Sequence, residues 1–227
     1  MRKQNGYFTR GWRQLFNVQQ FDVCLLCSQS INESISWQQL LTRSFLPSIC
    51  KRCAQKFKEI HNYVDEVYCI YEYNEAMRSY FQRYKFMKDV LLAHVFRSEV
   101  KKVFHTFLHD ANKQFGRGTK SVVVPIPMHK QQLEERTFAQ VDELLNAATI
   151  PYRHLLEKNT TVTQSSKNRA QRIATKNLFS SQQYIEMDHV LLFDDIKTTG
   201  TTLKLAEQVL LASGIKKVTQ IALAAVI

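Results

Sequence analysis

Two adjacent carboxylates and a run of threonines near the carboxyl end of the chain are the residues best suited to bind a ligand. Asp194 and Asp195 come directly after the apolar residues 190–193, and a hydroxyl-rich segment follows at 197–202. Apolar residues then recur at helical spacing until Gly214, a typical helix stop. The pattern predicts a short buried strand, a loop and a helix, in that order.

This loop contains the residue types that a sugar phosphate requires. The backbone amides of 198–202 would point outward at a helix N-terminus, where the partial positive charge favours an anion. Gly200 lets the backbone approach that anion because it has no Cβ. Ionised Asp194 and Asp195 only accept hydrogen bonds, so they would bind hydroxyl groups beside the phosphate. A 5′-phosphorylated ribose offers both groups; the alternative is an ordinary strand-to-helix turn without a ligand.

The segment Asp-Asp-Ile-Lys-Thr-Thr-Gly-Thr-Thr at 194–202 resembles the loop that binds phosphoribosyl pyrophosphate (PRPP) in type I phosphoribosyltransferases. It has neither the glycine pattern of a Walker loop nor that of a dinucleotide-binding turn. The resemblance implies a phosphoribosyl ligand, with Mg²⁺ accompanying PRPP. It also implies a set of PRPP-binding residues: Asp194, Asp195, Lys197, Thr198, Thr199, Gly200, Thr201 and Thr202.

Four cysteines near the amino end have the spacing of a metal site. Cys24 and Cys27 form one Cys-x-x-Cys pair, and Cys50 and Cys53 form a second. This arrangement is typical of four-thiolate zinc sites, and a cytoplasmic location argues against the alternative of disulfides or redox pairs. A closed shell of four sulfurs has no open position, so the predicted Zn²⁺ is structural.

Composition and charge narrow the class of protein. The 227 residues, of which 44% are hydrophobic, suffice for one core and a small appendage. No run of about 18 apolar residues occurs, and residues 1–12 lack the apolar stretch of a signal peptide, so we predict a cytoplasmic protein with no membrane span. The formal net charge of +11 favours polyanions or phosphorylated ligands as partners, although solubility alone also accounts for it.

Aromatic and basic residues are mixed from Tyr80 to Lys88. Such a mixture can stack nucleic-acid bases and contact phosphates. The favoured alternative is a core stripe with a solvated basic face.

Further cations suit the leaving diphosphate of a PRPP-type ligand. Prolines end a predicted strand at 121–127, and a tight turn followed by cations there would form a pyrophosphate clamp. The polar segment 159–176 predicts a mobile loop that closes over a ligand. The alternative for the cations after the prolines is ordinary surface charge, and the alternative for segment 159–176 is a loop without a ligand role. The candidates for these contacts are the backbone at Ile126 and the side chains of Lys130, Arg136 and Arg169.

Strands alternating with helices predict an α/β fold built on a parallel sheet with right-handed crossovers and helices on both faces. The resemblance above implies the sheet of the type I phosphoribosyltransferases. We predict a basic lead-in with a zinc-binding module at 1–62 and a phosphoribosyltransferase-like domain at 63–227. A short helix over 54–62 is predicted to connect them.

Several segments together resemble the ComF family over residues 20–227. Besides the cysteines and the PRPP-type loop, they are Arg83-Tyr84-Lys85-Phe86, Val124-Pro125-Ile126-Pro127, Arg136-Thr137-Phe138-Ala139-Gln140 and Thr163-Gln164 ahead of Asn168-Arg169. The resemblance implies a competence protein of natural transformation that acts with a ComFA-type helicase/ATPase and a DprA-type DNA-processing protein as single-stranded DNA enters the cytoplasm. Lys197 stands where many relatives carry an apolar residue, which predicts an extra cation at the phosphate site.

Three functions follow from these observations. The first is a DNA-uptake protein that uses a PRPP-type pocket as a ligand or nucleotide sensor. The second is an active phosphoribosyltransferase of nucleotide salvage. Purine-salvage relatives carry an aspartate three positions after the acidic pair, and Thr198 occupies that position here, so we assign no catalytic base. The third is a zinc-stabilised scaffold with a vestigial pocket.

Overall fold

A computed structural model describes most of the chain, namely residues 21–31, 45–116, 118–159, 178–181 and 186–227. The chain divides into two compact units at residue 56. The described part of the amino-terminal unit contains the cysteine cluster and a short helix, α1 (Lys51–Ala54). Across the described ranges, no helix combines the length and the apolar character needed to cross a membrane.

The second unit is organised around a sheet of five strands. These are β1 (Glu59–Val64), β2 (Val67–Glu72), β3 (Ser121–Pro125), β6 (His189–Lys197) and β7 (Lys217–Ala225). Their order is β1-β2-β7-β6-β3, and only β1 runs antiparallel to its neighbour. A separate two-stranded antiparallel sheet joins β4 (Leu156–Lys158) to β5 (Phe179–Ser181). The predicted mixed α/β architecture with a mainly parallel central sheet is confirmed.

Helices connect the strands. They are α2 (Glu75–Phe81), a π-helical turn (Gln82–Phe86), a 3-10 helix (Val90–Phe96), α3 (Arg97–Phe115), α4 (Lys130–Arg136), α5 (Gln140–Ala147) and α6 (Thr201–Ala212). The α2 helix begins at Asn74, whose side chain accepts a hydrogen bond of 3.0 Å from the amide of Met77. This N-cap explains why the helix starts directly after β2.

The β6 strand is buried on both faces of the sheet. Val190 and Leu192 belong to the core cluster that also contains Leu203 of α6. On the other face the ring of Phe193 packs edge-on against Phe104 of α3, with ring centroids 5.1 Å apart. Because successive strand residues alternate between the faces, an uninterrupted apolar run is what this central position requires.

One local prediction is wrong. The connecting helix over 54–62 is not formed, because α1 ends at Ala54 and β1 begins at Glu59. The pairing of residues 59–64 with β2 outweighs the helix propensity of this segment. Asp65 and Glu66 adopt positive φ angles in the two-residue turn that joins the two strands. The segment after the prolines, predicted as a turn followed by cations, also contains α4, whose first and last residues are Lys130 and Arg136.

Candidate functional site

Strand β6 does not stop at its apolar run but continues through the acidic pair. Asp194 lies opposite Ala222 of β7, and Ile196 lies opposite Ala224. Neighbouring strand residues point to opposite faces. Asp194 and Asp195 therefore have different surroundings, although they are adjacent in the chain.

Asp195 forms an ion pair with Lys85. The Nζ atom of Lys85 lies 2.6 Å from Oδ2 of Asp195, and the two side chains are only 12% and 13% exposed. An ion pair with this little solvent is far less screened than one on the surface. The carboxylate of Asp195 is therefore held in a fixed position.

The π-helical turn positions Lys85 for this contact. The ammonium of Lys85 also lies 4.5 Å from the ring centroid of Phe81, a cation–π arrangement. The preceding residue, Tyr84, is fully buried and donates a hydrogen bond of 2.8 Å from its hydroxyl to the carbonyl of Gln140. The turn is therefore anchored at the residue directly before the lysine.

Asp194 is held by the backbone and is difficult to ionise. Its Oδ1 atom accepts a hydrogen bond of 2.9 Å from the amide of Asp195. Burial, and secondly the charge of Asp195, raise the pKa of Asp194 to about 7, against weaker lowering by that amide, Lys85 and Lys158. At neutral pH the pair thus carries clearly less than two negative charges.

The loop after β6 has the backbone geometry of a helix start. Gly200 has φ 73°, in the left-handed region that favours glycine, and its carbonyl accepts the amide of Lys204 at 3.0 Å. The hydroxyl of Thr199 lies 2.9 Å from that of Thr201 and accepts its amide at 3.4 Å. Thr198, Thr199 and Thr201 are exposed. The other first-turn amides of α6 have no acceptor within the helix, which is the arrangement that binds anions.

Lys197 lies beside the loop, where its Cε would be 3.7 Å from a Cβ added at Gly200, and its ammonium also reaches the β1–β2 turn. Its side chain is 2% exposed, and Nζ donates to Oδ2 of Asp65 at 2.9 Å and to the carbonyl of Thr198 at 3.4 Å. This ammonium therefore braces the loop against the β1–β2 turn and is already neutralised by a carboxylate.

A cavity of about 580 Å³ borders the loop on the side of the β1–β2 turn. Its walls include Thr199 and Thr201 on one side, Asp65 and Glu66 on another, and Lys204 of α6. Because two carboxylates line it, this cavity suits the uncharged hydroxyl groups of a ligand better than a phosphate.

The pyrophosphate candidates are differently placed. The amide of Ile126 donates to the carbonyl of Phe193 at 2.8 Å, so it is occupied by the sheet. Lys130 is exposed at the first position of α4. Arg136 donates to Oε1 of Gln140 at 2.7 Å. Arg169 lies outside the described residues.

The four predicted metal-binding cysteines come together. Their sulfur atoms lie within 4.8 Å of one another, and all four are free thiols. Sγ of Cys27 and Sγ of Cys50 are 3.8 Å apart, close to the value of about 3.8 Å that two thiolates bound roughly 2.3 Å from a tetrahedral ion would have. The cluster therefore fits a structural metal ion such as zinc.

Cys24 and Cys53 of the cluster differ in how readily they ionise without a metal. Burial raises the pKa of Cys24, but hydrogen bonds from the backbones of Cys50, Cys27 and Leu26 lower it to about 7 overall. Burial and the neighbouring thiols raise the pKa of Cys53 in the same cluster without a metal. A divalent cation would supply the charge that lets all four sulfurs ionise together.

Lys85 is the site residue that the sequence reading did not assign. It was part of the segment Arg83-Tyr84-Lys85-Phe86, which carried the family resemblance. A signal was therefore present, but the sequence gives no indication that this lysine contacts Asp195.

Replacing one cluster cysteine should remove the metal. We expect Cys27→Ser to lose bound zinc, measured by elemental analysis, and to lose the tetrahedral thiolate spectrum of the Co²⁺-substituted protein, because three sulfurs bind far more weakly than four. Cys69→Ala, which changes a buried cysteine outside the cluster, is the matched control and should keep the metal.

Asp194→Asn should stabilise the protein at high pH. The folded state raises the pKa of Asp194 to about 7 from an unfolded value of about 3.9, so wild-type stability falls as the pH rises between these values. At about 1.4 kcal/mol per pKa unit, the variant should gain roughly 2–4 kcal/mol at pH 8 and little at pH 4. Urea unfolding followed by far-ultraviolet circular dichroism measures this difference.

Asp188→Asn is the control, because the fold lowers the pKa of Asp188 whereas it raises the pKa of Asp194. A hydrogen bond from Lys216 lowers the pKa of Asp188, so its contribution is present at neutral pH and is lost as the pH falls. This variant should not be stabilised at pH 8. Equal gains for Asp194→Asn at pH 4 and pH 8 would contradict a raised pKa in the folded protein.

Comparison with known proteins places the chain in a family. No family model matches it. Competence protein ComFC of Streptococcus pneumoniae (strain ATCC BAA-255 / R6) is 31% identical over 222 residues, covering 86% of this chain and 96% of that protein. Competence protein ComFC of Bacillus subtilis (strain 168) is 27% identical over 223 residues, covering 85% and 90%. Similarity of this degree along almost the full length of the relatives shows that the chain belongs to the ComFC family.

Proposed function

We propose that this chain is a competence protein that assists the uptake or handling of incoming single-stranded DNA on the cytoplasmic side of the membrane. Its relatives are named competence proteins. The proposed partners are a ComFA-type helicase/ATPase and a DprA-type DNA-processing protein, and the proposed ion of the cysteine cluster is Zn²⁺.

We propose also that the loop after β6 binds a phosphorylated ribose. The observation that carries this proposal is the join of β6 to α6, where the acidic pair at the end of a central strand precedes a glycine-containing helix N-terminus. Amides of α6 would hold the phosphate, and the carboxylates would accept hydrogen bonds from the ribose hydroxyls. PRPP with Mg²⁺ is one ligand of this class, and the type I phosphoribosyltransferase-like sheet remains part of the proposal.

The basic aromatic segment supplies a surface for single-stranded DNA. Tyr80, Phe81 and Tyr84 are buried, as the core-stripe interpretation predicted. Phe86 and Met87, in contrast, are 71% and 66% exposed.

The exposed part of this segment combines apolar and cationic groups. Lys88 next to Met87 is exposed, and the guanidinium of Arg136 lies 5.7 Å from the ring centroid of Phe86. An exposed ring beside cations is the arrangement on which bases stack while phosphates are neutralised. The surface formed by Phe86, Met87, Lys88 and Arg136 is our proposed DNA face.

Removing the exposed ring should weaken DNA binding. We expect Phe86→Ala to reduce the affinity for fluorescent oligo(dT) by about 1–3 kcal/mol, the contribution of one base–aromatic stack. Tyr63→Ala is the matched control, because Tyr63 is 54% exposed and its ring packs edge-on against Tyr68 of β2. Equal affinities of the two variants at low salt would contradict this DNA face.

Removing the acidic pair should abolish ligand binding and transformation together. We expect Asp194→Ala/Asp195→Ala to weaken the binding of ribose 5-phosphate and PRPP by at least about 100-fold, since two hydrogen bonds to charged groups contribute roughly 1.5–3 kcal/mol each. Calorimetry measures the binding. Transformation frequency is measured in a transformable host whose own copy has been deleted.

The control for this variant is Asp110→Ala/Glu186→Ala, which removes two exposed carboxylates, one on α3 and one ahead of the amino end of β6. It should bind and transform like the wild type. Wild-type protein that binds neither ribose 5-phosphate nor PRPP would refute the pocket. Normal transformation by the folded acidic-pair variant would separate the pocket from competence.

A further inference from the structure

Lys85 occupies the position in which an acidic pair ordinarily receives a metal ion. Two adjacent carboxylates at the end of a strand are typical oxygen ligands for Mg²⁺ or Mn²⁺. Here Nζ of Lys85 lies 2.6 Å from Oδ2 of Asp195, with both side chains almost buried. One oxygen of the pair is therefore already bound to a cation that belongs to the protein.

The lysine is built into the fold and is not a mobile surface side chain. The ring of Phe81 lies 4.5 Å below its ammonium, and the neighbouring Tyr84 is fixed by its hydrogen bond to Gln140. Lys85 and Tyr84 both belong to the π-helical turn, which fixes their positions relative to each other. A charge positioned in this way persists whether or not a ligand is present.

The remaining acceptors suit uncharged donors. Oδ1 of Asp194 accepts the amide of Asp195, and Oδ2 of Asp195 accepts Lys85. Each carboxyl group thus keeps one further oxygen, and two oxygens match the two hydroxyls of a ribose diol. A divalent cation would need both carboxylates charged and would be repelled by the ammonium.

We propose that Lys85 is the internal counter-ion of the acidic pair and makes this site select a sugar diol over a divalent metal ion. Lys85 is thus a specificity-determining residue of the proposed ribose site. The proposal deepens the proposed function and rests on it only where ribose 5-phosphate is the probe.

The first test measures metal binding alone. Wild-type protein titrated with MnCl₂ should show no Mn²⁺ bound at the pair by electron paramagnetic resonance. Lys85→Met should bind one Mn²⁺ at least about tenfold more tightly than the wild type, since removal of a unit charge a few ångströms away changes the energy by more than 1 kcal/mol. Lys85→Met/Asp195→Asn should lose that site again.

The second test measures ribose 5-phosphate binding with and without Mg²⁺. Wild type and Lys85→Arg should give equal affinities in both conditions, whereas Lys85→Met should need the metal. Lys113→Met, which removes an exposed lysine of α3, is the matched control and should behave like the wild type.

Three results would overturn the proposal. They are a wild-type Mn²⁺ site that Asp195→Asn removes, wild-type binding of ribose 5-phosphate that requires Mg²⁺, and a folded Lys85→Met protein that binds no Mn²⁺. The first two results are obtained with proteins that keep Lys85. They can therefore overturn the proposal even if Lys85→Met does not fold. Absence of ribose 5-phosphate binding in every condition would refute the proposed function instead, and the Mn²⁺ titration would still test Lys85.

Discussion

The burial of β6 between β3 and β7 is the constraint on which the site depends. A central strand covered on both faces must be apolar along its length, and residues 190–193 meet that demand. Charged residues are tolerated only where the strand leaves this cover, so Asp194 and Asp195 lie at the carboxyl edge of the sheet. The carboxyl edge of a parallel sheet is also where helix N-termini converge, which places the acids beside the amides of α6.

The acids at this edge are costly, and the fold offsets the cost with residues from other elements. Asp195 is paired with Lys85 of the π-helical turn, and Lys197 is paired with Asp65 of the β1–β2 turn. Among the described residues no cation forms an ion pair with Asp194, and burial, followed by the charge of Asp195, raises its pKa. A structural role alone does not explain an aspartate here, because an asparagine of the same shape would avoid the free-energy cost of ionising a buried carboxyl group. Asp194 is therefore the residue whose presence argues most directly for a ligand.

The elements that the sequence predicted well are those specified by local patterns. The apolar run before Asp194, the helical spacing after Asn74 and the Cys-x-x-Cys pairs each carry their signal within a few residues. The strand β1 was missed because its pairing with β2, and not its own composition, decides its conformation. The partners of Lys85 and Lys197 were missed for a stronger reason. The contact of Lys197 with Asp65 joins residues 132 positions apart, and nothing in either local sequence indicates the other.

The pairing of both lysines changes how the net charge of +11 is to be understood. Lys85 and Lys197 lie beside the acidic pair in space or in sequence, and each is paired with a carboxylate. The proposed anion at the loop would therefore contact backbone amides and threonine hydroxyls, which are directional and favour a small, terminal phosphate, while Lys204 of α6 borders the loop as a further cation. Exposed cations such as Lys88 act without that geometric demand and attract the repeated charges of a polyanion at longer range. The proposed separation of a sugar-phosphate site from a DNA face depends on this pairing, because unpaired ammonium groups at Lys85 and Lys197 would attract the DNA backbone to the smaller site.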